Sequence, residues 1–244
     1  MVTLMQLTCA LHKTATPVLL SRFIKLEIDG LARRIARAFA YNRPLSIPLD
    51  EIKIPDSALA KKATELVESC SPLFLVNHSI RTYYFGVAIA KHLGIKADLE
   101  VFYLSAIMHD LGLVEPHDKA EGSFEVVGAG VAHSFLLEQG VQREKADRVH
   151  EAIALHSAVG IADKKDPETA LVHYGAGVDV IGFRIEDIAE DTREAIINAY
   201  PRHGFKASFT CLIDQQAQEK PSCHIAGHHK LGFTGKIKNA PFAE

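Results

Sequence analysis

Apolar and polar positions along the chain recur mainly at helical spacing. The run Leu99–Met108 carries a single charge, Glu100, and reads as a short buried helix with Asp98 as its N-cap and Gly112 as its stop. Asp56 reads as the cap of "SALAKKATELVESC". After Ser71-Pro72, "LFLVNHSIRTYYFGVAIAKHLG" predicts a long helix with Gly94 at C′. "SFEVVGAGVAHSFLLEQG" predicts another, ending at Gly140, and "REKADRVHEAIALHS" a third with Ala146, Val149, Ile153 and Ala154 inward. Asp166-Pro167, a cap followed by Pro at N1, starts "ETALVHYGAGVDVIG", while "DTREAIINAYP" and "GFKASFTCLIDQQAQEK" complete the set. Upstream, "LARRIARAFAYN" has helical spacing and "RPLSIPLDEIKIPDS" is extended and Pro-punctuated; weak strand signals are confined to "LSIPLDEIKI" and the tail. The pattern predicts an all-α single domain of about seven core helices. Residues 1–55 form an N-terminal extension, 56–200 the helical core, and 201–244 a C-terminal helix and tail packed on it.

Composition narrows the partners. A net charge of −3 gives no electrostatic footprint for nucleic acid or an anionic membrane, and the absence of Trp argues against stacking platforms for single strands. Cys9, Cys70, Cys211 and Cys223 are scattered, so a reducing cytoplasm is expected rather than a disulfide framework. "MVTLMQLTCALHK" lacks the basic start and cleavage site of a signal peptide, and no stretch reaches the roughly 20 apolar residues of a membrane span. A homo-oligomer acting on a small molecule, without nucleic acid or membrane, is the expectation.

Four residues then need a reason. His78, the adjacent His109 and Asp110, and Asp179 sit among apolar neighbours on three separate helices. A buried carboxylate is costly unless it is paired or coordinates a metal. Adjacent residues on a helix point about 100° apart, so His109 and Asp110 converge on one point only where that point is compact and the helix is ending. A metal ion is such a point, and two imidazoles with two carboxylates suit Zn²⁺, Mn²⁺ or Fe²⁺.

The ordered set His…His-Asp…Asp resembles the HD-domain metal-dependent hydrolases, an all-α superfamily. The blocks "NHSIRTYYFG", "SAIMHDLGL", "FEVVGAGVAHSFL", "HEAIALHSAVGI" and "LVHYGAGVDVIG", with the ending "FKASFTCLID…KPSC…KNAPF", are similar to its cyanamide hydratase branch over roughly residues 56–244. The resemblance implies His78, His109, Asp110 and Asp179 as ligands of one divalent transition metal, Zn²⁺ first and Fe²⁺ or Mn²⁺ next. It implies that water activated by that metal adds to the nitrile carbon of cyanamide, giving urea. Asp110 would accept the water's proton, and His156 would support the metal site as a hydrogen-bond donor behind its ligands, polarise the substrate, or be a hydrogen-bonded core residue. Relatives with two metals use further His from the middle of the chain, which keeps His133 with His156 as a candidate second site.

Other features carry less. Arg81 shares a helix face with His78 and either reaches the pocket or lies at the surface. His150 and His173 read as structural or surface residues. "CHIAGHHK" lacks the second ligand pair of a zinc finger, and the glycines of "VGAG" and "GAGVD" read as close helix–helix approaches rather than phosphate loops. Two rival functions remain open. A phosphohydrolase would need cations such as Arg81, Lys119 or Arg184 aimed at phosphate, but no cluster is visible. A non-catalytic binding domain would not need all four ligands.

Overall fold

The computed structural model describes residues 16–39 and 43–244; "MVTLMQLTCALHK" and Cys9 lie outside them. The described residues form eleven α-helices with short 3₁₀ turns and contain no β-strand. In chain order these are α1 (Thr16–Ala38), α2 (Ala58–Cys70), α3 (Leu73–Leu93), α4 (Leu99–Met108), α5 (Phe124–Glu138), α6 (Arg143–Leu155), α7 (Pro167–Ile181), α8 (Glu190–Ala199), α9 (Phe205–Glu219), α10 (His224–Lys230) and α11 (Phe233–Lys238). The all-α expectation holds. None of these helices is long and apolar enough to cross a membrane. Cys70, Cys211 and Cys223 are unpaired thiols.

Several boundaries follow local chemistry. The Asp98 side chain accepts from the Glu100 and Val101 amides and opens α4 at Leu99, as its pattern predicts. Gly94 ends α3 with φ +69°, the left-handed conformation that a Cβ disfavours. The cap of α2 is Ser57 rather than Asp56: the Ser57 hydroxyl accepts from the Ala60 amide, while Asp56 turns outward to pair with Lys61. "LSIPLDEIKI" makes no strand; its only ladder contact is an isolated bridge between Leu45 and Ile188. The tail, too, is helical, as α10 and α11. Part of the supposed N-terminal extension is the 23-residue helix α1. Its Leu19 and Phe23 are buried against the body, whereas Ile24, Ile28, Leu31 and Ile35 stay exposed along its outer face.

The core helix is α3, buried along most of its length and packed against α4 and α7. A Cβ on Gly175 of α7 would stand 2.0 Å from the Thr82 carbonyl of α3, so only glycine permits this approach. One turn from that crossing on each helix lie His78 and Asp179, which the crossing brings face to face. The end of α4 is held in the same way. A Cβ on Gly112 would stand 2.0 Å from the Phe124 carbonyl, with Gly128 of α5 beside it. Gly112 is therefore not a helix stop; α4 ends at Met108, and Gly112 lies in the 3₁₀ turn Leu111–Leu113 that is pressed onto α5.

Candidate metal centre

His78 comes from the first half of α3, and His109 and Asp110 from the end of α4. All three are at most 3% exposed. Their ligand atoms converge. His78 Nε2 lies 3.2 Å from His109 Nε2 and 3.5 Å from Asp110 Oδ2, and His109 Nε2 lies 3.2 Å from the same oxygen. Nitrogen or oxygen ligands about 2.0–2.1 Å from a tetrahedral metal sit about 3.3 Å from one another, so the triangle has a metal's dimensions.

The hydrogen bonds around the triangle fix which lone pairs enter it. His109 Nδ1 is 2.7 Å from the Ala106 carbonyl, which can only accept, so Nδ1 carries the proton and Nε2 the lone pair. His78 Nδ1 lies 2.7 Å from Asp179 Oδ2 and donates to that carboxylate, again leaving Nε2 as a lone pair. Both oxygens of Asp110 are buried without a hydrogen-bond partner. Three electron-rich atoms thus face one another in a buried site, an arrangement that a cation stabilises and that repels itself without one. The donor set fits a divalent metal. Burial works against a charge on His109, but the Asp110 carboxylate overcomes it and raises the imidazole's pKa. A proton is then the metal's competitor for this position. Burial also opposes ionisation of Asp110, yet His109 and His78 draw its pKa down to about 2.

Asp179 does not join the triangle, in contrast to its expected place as a fourth ligand. It lies on the Nδ1 side of His78, and its oxygens are taken up by arginines. Arg81 grips it with Nε on Oδ1 at 2.8 Å and Nη2 on Oδ2 at 2.7 Å, and Arg202 adds Nη1 on Oδ1 at 2.7 Å. Arg81 therefore neither reaches the pocket nor lies at the surface. It is fully buried, and its remaining nitrogen, Nη1, donates to the Tyr200 and Pro201 carbonyls. Burial alone would raise the Asp179 pKa, but Arg81, His78 and Arg202 hold it far below the ordinary carboxylate range. Arg202, which no sequence feature marked, follows α8 and sits between the rings of Phe205 and Phe242. It lies three residues past the end of α8, and its burial there is a property of the packing.

The triangle opens into a cavity of about 70 Å³, room for several waters or one small molecule. Its wall includes His156, His173, Phe124, Phe209, Ile213 and His228. Phe23 and Leu26 of α1 and Phe233 of α11 complete the wall, so both ends of the described chain help to enclose the site. His156 is buried, with Nδ1 donating to the Ile153 carbonyl and its ring 4.8 Å from that of His109. Burial and the neighbouring His109 push its pKa down to about 3, so it rests neutral with the Nε2 lone pair free. His173, expected to be structural or at the surface, lines the cavity and donates Nδ1–H to the His156 carbonyl. His133 is elsewhere. It pairs with Asp147 at 2.8 Å and meets the edge of His150, and neither histidine reaches the cavity.

Among the described residues lining the cavity there is no Lys or Arg. Arg22, Arg33 and Arg184 line a neighbouring pocket that shares Leu26, His173 and Phe183 with the cavity wall. There Arg33 is paired with Glu186 and Arg184 with Asp187, each at 2.6 Å. Lys119 is exposed.

Residues 75–199 match the model of the HD domain family. Two Saccharomyces cerevisiae proteins, cyanamide hydratase DDI2 and cyanamide hydratase DDI3, are each 26% identical to the chain over 176 residues, covering 70% of it and 78% of their own length. A helical core that matches the family model over half the chain, with His-Asp at the end of a buried helix and a second histidine facing it, leads to one conclusion: the chain belongs to the HD-domain family.

Proposed function

We propose that the protein hydrates a small neutral nitrile, with cyanamide to urea as the leading reaction, using a divalent metal held by His78, His109 and Asp110. Zn²⁺ is the first candidate, with Fe²⁺ and Mn²⁺ as alternatives for the same donors. One observation carries the reading: the cavity around the triangle is small, mostly apolar and free of cationic side chains among the described residues. A phosphoester would bring negative charge to a site already containing a buried carboxylate, and would need Arg or Lys contacts that this wall lacks. A linear, uncharged nitrile needs neither. The similarity to the yeast cyanamide hydratases points to the same substrate. Three unpaired thiols suit a cytoplasmic location.

When bound, the metal acts as a Lewis acid and lowers the pKa of a water towards neutrality. Asp110, whose oxygens have no protein partner, is placed to accept the proton that leaves this water. As the oxygen–carbon bond forms, an electron pair of the C≡N bond moves to nitrogen, which must take up a proton. His156 is placed to relay it. Its Nε2 carries no proton at rest, and its depressed pKa makes it release a transferred proton readily. The added oxygen and two protons account for urea. Asp179, Arg81 and Arg202 act behind His78, keeping its Nδ1–H engaged and its Nε2 turned to the metal.

The test is urea release from cyanamide against phosphate release from nucleotides, with the metal content of the purified protein measured first. Urea release that changes little between low and high salt is expected, since no charged substrate is steered. Phosphate release that falls with salt, without urea, would replace the reading with a phosphohydrolase. A folded protein that retains no metal and turns over neither substrate would favour a binding domain.

A further inference from the structure

Helix α10, the second last in the chain, brings a fifth histidine into the cavity. His228 is 2% exposed and lines the same wall as His78, His109, Asp110 and His156. Its ring is boxed by Phe23 of α1 at 5.0 Å, His224 at 4.3 Å and Phe233 of α11 at 5.8 Å, all as edge contacts. Its Nε2 is buried without a hydrogen-bond partner. The other four cavity histidines all commit Nδ1 to an acceptor in the protein: Asp179 for His78, and the Ala106, Ile153 and His156 carbonyls for His109, His156 and His173. A buried ring nitrogen left without a partner is a cost that folding alone does not recover, and it is recovered when a ligand supplies the missing group.

We propose that His228 is a substrate-positioning residue whose Nε2 accepts a hydrogen bond from an N–H group beside the reacting carbon, selecting cyanamide-like molecules over alkyl nitriles of the same size. The proposal rests on the nitrile-hydration reading and names what that reading leaves open, the group that holds the far end of the substrate. Cyanamide and acetonitrile are both linear and small; one places NH₂ and the other CH₃ on the nitrile carbon. An apolar wall scarcely distinguishes them, whereas a buried acceptor left unpaired by the methyl group does. Burial and the neighbouring His224 keep the His228 imidazole neutral, and in the tautomer with the proton on Nδ1 the orphaned Nε2 is an acceptor. His228 lies beyond residues 75–199, the span that matches the HD-domain model, so the substrate-facing contact comes from outside the shared core.

The experiment uses the full-length, metal-loaded protein and its His228→Leu and His228→Asn variants. Cyanamide, urea and acetonitrile are titrated while the ring-nitrogen NMR shifts of histidine-labelled protein are followed, and steady-state hydration of cyanamide and of acetonitrile is measured in parallel. Cyanamide and urea, but not acetonitrile, should shift His228 Nε2. His228→Leu should keep its metal, raise KM for cyanamide by about 10- to 100-fold with a smaller change in kcat, and lose the preference over acetonitrile. His228→Asn, which keeps an acceptor, should restore part of that preference and shows whether a Leu effect is merely misfolding. An unmoved His228 resonance in the presence of cyanamide and urea, or equal discrimination in wild type and His228→Leu, would overturn the proposal. If the wild type binds these probes through His228 yet forms no urea, the positioning role stands and the hydration reading fails. Urea formation without any His228 response would overturn the positioning role and leave the hydration reading standing.

Discussion

Asp110 and Asp179 are two buried carboxylates on opposite sides of the His78 ring, and the protein treats them differently. Asp179 is saturated: two arginines and the His78 Nδ1–H occupy its oxygens. Asp110 has no hydrogen-bond partner on either oxygen and faces two imidazole lone pairs. The first is a finished structural charge whose compensation folds with the chain. The second is compensated only by something that arrives after folding. A carboxylate's function is therefore read less from its burial, 0% exposed for Asp179 and 3% for Asp110, than from whether its partners are built in.

The largest effect should come from breaking the open side. Asp110→Ala should abolish metal retention and turnover while leaving helical circular dichroism intact, because no protein group depends on Asp110 for its own hydrogen bonds. Full metal occupancy in this variant, measured by elemental analysis, would remove Asp110 from the centre.

Breaking the closed side should do the converse. Asp179→Asn leaves Arg81 buried without a counter-charge and Arg202 with only Glu244, at a cost of about 3–5 kcal/mol. For a chain of this size that lowers Tm by roughly 6–20 °C. Metal affinity should also fall by about 10- to 100-fold as His78 loses its orientation. A Tm unchanged within error in a thermal melt would show that the arginines find other partners.

The pH dependence of the metal-free protein sharpens the contrast between groups held charged and groups held neutral. His156 and His150 have pKa values lowered by burial to about 3 and about 4, against an ordinary 6.5. Between those values the unfolded chain binds the proton and the folded chain does not, so stability falls as pH drops below 6.5. Each contributes about 1.4 kcal/mol per pH unit within its window. Denaturant melts from pH 7 to 4 should show the loss, and a flat profile would mean that the folded state protonates these rings. Asp179, with its pKa depressed, keeps its contribution throughout this range, since that contribution is lost only as pH falls towards the folded pKa.

The smallest effect is expected at His133, the candidate for a second metal. It is paired with the half-exposed Asp147 away from the cavity. His133→Ala should leave one metal per chain and change stability by no more than about 1 kcal/mol. A drop in metal stoichiometry from two to one would restore the two-metal reading.

What the sequence alone determined is local. The start of α4 at its Asp98 cap, the left-handed Gly94 and the pairing of His109 with Asp110 at a helix end follow from periodicity and capping within a few neighbouring residues. That His78 would face this pair was legible because apolar helices carrying polar residues must bury them together. The tertiary structure decided the rest. Asp179 faces the second nitrogen of His78 with its oxygens engaged by Arg81 and Arg202, the latter from the loop after α8, contacts between residues over 20 positions apart. His173 and His228 entered the cavity, and Phe23 of α1 and Phe233 of α11 closed it, because the two ends of the described chain pack across the core mouth. Such contacts have no period and no motif: they depend on which surfaces remain uncovered once the core helices are in place.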